Sequence, residues 1–231
     1  MFEVRNEAQR AVVYLYGTIG ADFWDEASSN TAKDFSQTLD ALSPKPLDIR
    51  IDSCGGDVYE GFAIASAIQR YEGETTVYID GIAASAASYI ALMADKVVMT
   101  DYAQLMIHDA WTWCSGNSRE LLNTASRLDA LDATIAGIIA ARSGMELDAV
   151  RAAMDAETWY TAGDAVANNL ADEVVATEQR MAASIDRALL ALYRHVPDAV
   201  AEKSHAEDTI ACDEGQVRSV VMGNRIYRVE R

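Results

Sequence analysis

Basic residues, histidine, cysteine and proline are all scarce in this sequence. Its 231 residues hold 19 Lys and Arg against 36 Asp and Glu, and three each of His, Cys and Pro. A net charge of −17 lacks the clustered positive surface that phosphate backbones require, so nucleic acid is not an expected partner. Cys54, Cys114 and Cys212 are odd in number and without metal-ligand spacing, which argues against a disulfide framework and a metal site and favours a reducing, cytoplasmic compartment. Long hydrophobic runs are missing too. The longest, Gly81 to Ala94, is 14 residues rich in Ala and Ser, short of the roughly 20 that a bilayer requires, and charge from Glu3 onward is unlike a signal peptide. Neither Gly-x-x-x-x-Gly-Lys nor Gly-x-Gly-x-x-Gly occurs, so no nucleotide-type cofactor is expected.

What is present is apolar side chain, 50% of the residues, enough for one sizeable core. Its periodicity switches along the chain. Val12 to Tyr16 reads as a strand, Ala27 to Leu42 as a helix ending before Pro44, and Leu47 to Ile51 as a strand running into Gly55-Gly56. A helix over Tyr59 to Tyr71, a strand over Thr75 to Ile79 and a helix from about Ser85 to Ala94 follow, then short strands at Lys96 to Met99 and Gln104 to Ile107. Strands alternating with helices predict an α/β fold with a mostly parallel sheet, in which sites gather beyond the carboxyl ends of strands. Asn117 and Glu120 form a capping pair for a long amphipathic helix to Arg142, and shorter helices are expected at Glu146 to Met154 and Ala162 to Asn168. The expected organisation is a domain over 1–185 and a charged appendage over 186–231. After Val175 a charged helix to Tyr193 is expected to run into this appendage, followed by an acidic linker from Pro197 to Gln216 and a hairpin about Gly223-Asn224.

Three pieces of this pattern carry chemistry. Ser85 sits between Ala84 and Ala86 at a helix start, so its hydroxyl is accessible and the helix N-terminus faces any negative charge that develops there. A serine hydroxyl is a weak nucleophile and needs a base, an orienting carboxylate and oxyanion donors. His108 is the base candidate, because His195 and His205 lie in the appendage. Gly55 and Gly56 lack Cβ atoms, so their backbone N–H groups can approach an oxyanion or an extended peptide. Asp155 and Glu157 both precede the Trp159-Tyr160 pair, and either can face the imidazole. Cys54 is read as a small apolar core residue, since His108 is the one histidine placed to activate a thiol there.

Together, Ile51-Asp52-Ser53-Cys54-Gly55-Gly56-Asp57, Gly81-Ile82-Ala83-Ala84-Ser85 and Met106-Ile107-His108 resemble the proteolytic subunit of the Clp protease family, over roughly Val12 to Val175. The resemblance implies a crotonase-like ββα superhelix in which Asn117 to Arg142 is a long handle helix, and a homo-oligomeric ring enclosing the active sites. It implies Ser85 as nucleophile, His108 as base, and Gly56 and Ala86 N–H groups as the oxyanion hole, with Gly55 and Asp57 beside the peptide substrate. Cys54 stands where the family usually has proline, and Glu157 aligns with its triad aspartate. The stretch Asp155 to Ala162 is most similar to the Clp-related head maturation proteases of tailed phages, whose substrates are scaffold or capsid-associated proteins. An ATPase-fed degradative peptidase partnered by an AAA+ unfoldase, and a noncatalytic assembly protein of the same fold, are the alternatives. A relative of the signal peptide peptidases is disfavoured, because none of Lys33, Lys45, Lys96 and Lys203 lies in a setting suited to a lysine base.

Overall fold

The computed structural model describes residues 4–6, 9–21, 29–176, 190, 193–197, 200, 218–222 and 225–229. Near the start, β1 (Val4–Asn6) is followed by β2 (Ala11–Tyr16), where alternation of Ala, Val and Leu with Tyr and Val buries every second side chain. Two-residue strands β3 (Thr18–Ile19) and β4 (Ser29–Asn30) then lead into helix α1 (Ala32–Leu42), capped by Thr31. The α1 boundary lies later than the expected Ala27. Ser29 and Asn30 pair instead with Thr18 and Ile19, and the Asn30 amide donates to the Tyr16 and Thr18 carbonyls at 2.6 and 2.9 Å; positions 27 and 28 lie outside the described residues.

Strand β5 (Leu47–Ser53), helix α2 (Val58–Arg70), strand β6 (Thr75–Ala84), helix α3 (Ala86–Ala91) and strand β7 (Lys96–Thr100) continue the alternation. After them come β8 (Gln104–Ile107), α4 (Ser118–Ser143), α5 (Leu147–Asp155), β9 (Thr158–Thr161), α6 (Ala162–Ala167) and β10 (Glu173–Val175). The main sheet has the order β1-β2-β5-β6-β7-β10, parallel except at β1. Val13, Leu15, Ile49, Ile51, Val77, Ile79, Val97 and Met99 are fully buried in it, each contributing roughly 1.5–3 kcal/mol of transfer free energy.

Strand β6 extends five residues past its expected end at Ile79. Thr76 to Ile79 pair with β7, whereas Ile82 to Ala84 pair with β8, so one strand serves two neighbours in succession. The register against β5 shifts between Ile51 and Ser53, and the buried Asp52 carboxylate accepts from the Ile82 N–H at 3.1 Å close to that shift. On the far side, β9 pairs antiparallel with β8 where the sequence reading placed only a link between helices.

Helix α4 carries the expected Asn117–Glu120 capping box and ends at Gly144, whose φ of 74° provides the left-handed cap. Its buried residues, Ile135, Ala136, Ile139 and Ser143, all lie in its second half, so the first half extends beyond the core with Leu121 and Leu122 exposed. Residues Met1–His195 form one compact unit and Val196–Arg231 a second. In the second, β11 (Arg218–Met222) and β12 (Arg225–Val229) pair antiparallel at the expected hairpin. Most of the expected helix between Val175 and Tyr193, most of the 197–216 linker and the Gly223-Asn224 turn lie outside the described residues.

Candidate active site

Three adjacent parallel strands deliver the chemistry at their carboxyl ends. β5 ends at Ser53 and runs into Cys54-Gly55-Gly56, β6 ends at Ala84 and runs into Ser85, and β8 ends at Ile107 and runs into His108. Because Ala84 is in register with Met106, and the Ser85 N–H donates to the Met106 carbonyl at 3.1 Å, the next residues converge. His108 Nε2 lies 2.7 Å from Ser85 Oγ. With the ring neutral and its hydrogen on Nδ1, Nε2 accepts a hydrogen bond from the serine hydroxyl in this contact.

Ser85 adopts φ 54°, ψ −123° between strand and helix, a sterically unfavourable conformation for a residue with a Cβ. Its surroundings hold it there. Gly55, at φ 95°, lies directly behind: a Cβ on it would come within 2.7 Å of both Ala84 O and Ser85 Cβ. The Ser53 hydroxyl donates to the Gly17 carbonyl at 2.5 Å and accepts from the Gly55 N–H at 3.1 Å, fixing the turn from beneath. Gly56, at φ 150°, bridges to Ile19 through the flanking Ile19 N–H to Gly55 O and Asp57 N–H to Ile19 O bonds. The Gly56 N–H itself makes no hydrogen bond among the described residues. Ala86 opens α3, so its N–H likewise has no intrahelical acceptor.

A cavity of about 580 Å³ opens over this point, lined by Gly56, Ser85 and His108 together with Trp111, Leu128 and Tyr193. Asp57 also lines it, but its Oδ1 accepts from the Tyr59 and Glu60 N–H groups at 2.8 and 2.9 Å as the N-cap of α2. Of the two glycines beside the serine, Gly56 faces the cavity and Gly55 supports the turn behind it.

The carboxylates separate by burial. Asp155 is exposed at the end of α5, whereas Glu157 is 5% exposed, at φ 51°. The β8–β9 register pairs Ile107 with Thr158, and one step further sets Glu157 across from His108. Its two oxygens accept from the backbone N–H groups of His195 (2.6 Å) and Arg194 (2.8 Å), with the Trp159 indole N–H at 3.5 Å. Burial drives the His108 pKa down to about 4, against an upward pull from Glu157 and a further downward one from Arg194. The difference in burial predicts a difference in function: Glu157→Gln is expected to lower peptide hydrolysis at least tenfold, and Asp155→Asn by less than twofold, in steady-state assays at pH 7.5. A larger loss at Asp155 would reverse the assignment.

Cys54 is buried and Cys114 exposed, and neither is in a disulfide. No group of three metal-ligating side chains occurs among the described residues, nor any helix long and apolar enough to cross a membrane.

The same region is where this chain matches known proteins. A family model described as Clp protease matches residues 7–178. The chain belongs to the Clp protease family. The ATP-dependent Clp protease proteolytic subunit of Bacteroides fragilis is 30% identical over 154 residues, covering 65% of this chain and 74% of that one. Its counterpart from Pleurastrum terricola is 31% identical over 134 residues, covering 57% and 68%. Among solved structures, a ClpP1 mutant from Listeria monocytogenes superposes with a TM-score of 0.62, covering 72% of this chain and 92% of its own at 24% identity, which shows the shared fold. Clp membership implies peptidase chemistry of the serine type. Two features of the site were not foreseen from sequence: β9, too short for a periodic signal although Thr, Trp and Tyr are strand formers, and Tyr193, which lies beyond the family match.

Proposed function

We propose that this chain is a serine endopeptidase acting through an acyl-enzyme. The contact of 2.7 Å between His108 Nε2 and Ser85 Oγ, on a serine held at positive φ, carries the reading. His108 takes the hydroxyl proton as Oγ attacks the peptide carbonyl, and the Gly56 and Ala86 N–H groups receive the oxyanion. The imidazolium, facing Glu157, then protonates the leaving amine, and water hydrolyses the ester by the reverse sequence. Gly55 and Asp57 shape the entry by supporting the elbow and capping α2.

The substrate is a protein or peptide processed inside a homo-oligomeric ring, a reading supported by the family and by the exposed first half of α4. The resemblance of Asp155 to Ala162 to phage head maturation proteases favours scaffold or capsid protein in an assembling prohead, within a host cytoplasm. The relatives' name, ATP-dependent Clp protease proteolytic subunit, supports a second reading in which an AAA+ unfoldase feeds the chamber. One measurement tests the chemistry. A fluorophosphonate probe is expected to label the wild-type protein and to leave Ser85→Ala unlabelled; labelling that persists in Ser85→Ala removes the nucleophile, and absence of labelling from the wild type and from every variant that keeps Ser85 favours a noncatalytic assembly protein.

A further inference from the structure

One residue of the cavity wall, Tyr193, comes from outside the family match, which ends at 178. Tyr193 is 9% exposed, with its ring centroid 5.3 Å from that of His108 and 6.1 Å from that of Trp159, edge-on to both. Its hydroxyl donates to the Cys54 carbonyl at 2.5 Å, two residues before Gly56. An acyl group under attack must reach Ser85 Oγ and the Gly56 N–H together, and Tyr193 lines the cavity that contains both.

The next two residues bind the carboxylate. Both oxygens of Glu157 accept backbone N–H groups, from His195 and Arg194, and the Arg194 guanidinium adds an ion pair at 3.8 Å and a hydrogen bond to the Asp155 carbonyl at 3.3 Å. Charge-assisted hydrogen bonds are among the stronger ones in proteins, and these two hold the Glu157 side chain against this segment. The one hydrogen bond described for His108 goes to Ser85, and none joins it to Glu157. Tyr193 thus forms part of the cavity wall beside the nucleophile, while Arg194 and His195 hydrogen-bond both oxygens of the carboxylate that faces the base.

We propose that Tyr193-Arg194-His195 is an autoinhibitory strap: it competes with the substrate for the space beside Ser85 and with His108 for Glu157, and productive binding displaces it. This rests on the serine-peptidase reading. It makes the uncomplexed chain a latent enzyme that substrate, or a partner able to draw residues 193–195 away, brings into action. The strap acts in cis, through main-chain donors and one aromatic ring, so it needs no modification or cofactor to form.

Full-length Tyr193→Ala removes the ring and its tether, and Arg194→Pro removes one of the Glu157 donors. Tyr193→Phe keeps the ring and loses only the tether to Cys54. A strap that leaves a tenth or less of the molecules open predicts fluorophosphonate labelling of Ser85 about tenfold faster in Tyr193→Ala and in Arg194→Pro, with Tyr193→Phe between them and wild type. Amide hydrogen exchange at Arg194 and His195 is expected to accelerate in the wild-type protein once Ser85 carries a bulky biotinylated fluorophosphonate. Labelling at the wild-type rate or slower in Tyr193→Ala and Arg194→Pro, both folded by circular dichroism, overturns the strap and leaves the nucleophile standing. Labelling that survives in Ser85→Ala overturns the nucleophile, whatever the strap variants do. Labelling seen only in the strap variants supports complete occlusion.

Discussion

His108→Ala is expected to lower kcat for peptide hydrolysis by about 10⁴-fold while KM changes by a few fold at most. The imidazole is the only described base in contact with Ser85 Oγ, and at neutral pH the hydroxyl without it is almost wholly protonated. The cavity walls, including Trp111 and Leu128, are untouched by the substitution, so ground-state binding survives it. The pH profile of the intact enzyme has a sign fixed by the same burial. With the His108 pKa near 4 the ring is already neutral at pH 6, so kcat/KM should hold steady from pH 7 to 6 and fall only toward pH 4. An unperturbed histidine would lose activity around 6.5. Stability follows the same direction. Unfolded His108 takes up its proton near 6.5 and folded His108 near 4, so its contribution is present above 6.5 and is lost as pH falls from there to 4. A stopped-flow or steady-state pH series on wild type, with His108→Ala as baseline, measures the acid limb. A midpoint at or above 6.5 would contradict the buried, neutral base.

Gly56→Ala is the second large effect, expected to cost 10²- to 10³-fold in kcat, the range seen when one oxyanion donor is lost. A Cβ on Gly56 would lie 2.1 Å from the Ile19 carbonyl oxygen and 2.9 Å from Ile19 N, and its φ of 150° is one that side chains rarely adopt. Backbone, not a flexible side-chain tip, is what it meets. Relief therefore requires moving the Cys54-Gly55-Gly56 turn or β3, and either displaces the Gly56 N–H that is the proposed donor. Gly137 on α4 is the control, since a Cβ there meets nothing within 4 Å. Gly137→Ala is expected to leave kcat unchanged and to stabilise the helix by up to ~1 kcal/mol. Steady-state kinetics and thermal melts on the two variants separate loss of the oxyanion hole from general weakening of the fold. A Gly56→Ala enzyme within threefold of wild type would remove Gly56 from the oxyanion site.

Much of the site was legible because its signals are local. Small residues around Ser85, a glycine pair after an alternating strand, and one histidine at a strand end each follow from a few neighbouring side chains. The N-terminal half of the fold was legible for a related reason: β2, β5 and the first part of β6 show alternation or β-branched runs, and α2 and α4 carry clear caps or apolar stripes. Elsewhere the deciding contact is distant. Strand β6 runs on to Ala84 because β8 receives its second half and Asp52 holds the Ile82 N–H, and nothing between 79 and 84 encodes either. Four residues of β9 give too short a run to distinguish a strand from a link, and α1 starts at Ala32 because Asn30 is held by carbonyls of the first strands.

By itself, the sequence pointed to a class of chemistry: a serine flanked by small residues, a single well-placed histidine and a Cβ-free turn, in an acidic α/β chain without phosphate-binding or metal-ligand motifs. Those are properties of residue type and short spacing, which a linear chain displays. Tertiary structure alone decided the geometry, bringing Ser85 and His108 to 2.7 Å through the β6–β8 register and burying Glu157 across from His108 through the β8–β9 register while Asp155 stays exposed. It also carried Tyr193 back onto His108 and set both oxygens of Glu157 on Arg194 and His195. Strand register and chain return depend on partners tens of residues away, and their free energy is realised only when the sheet assembles.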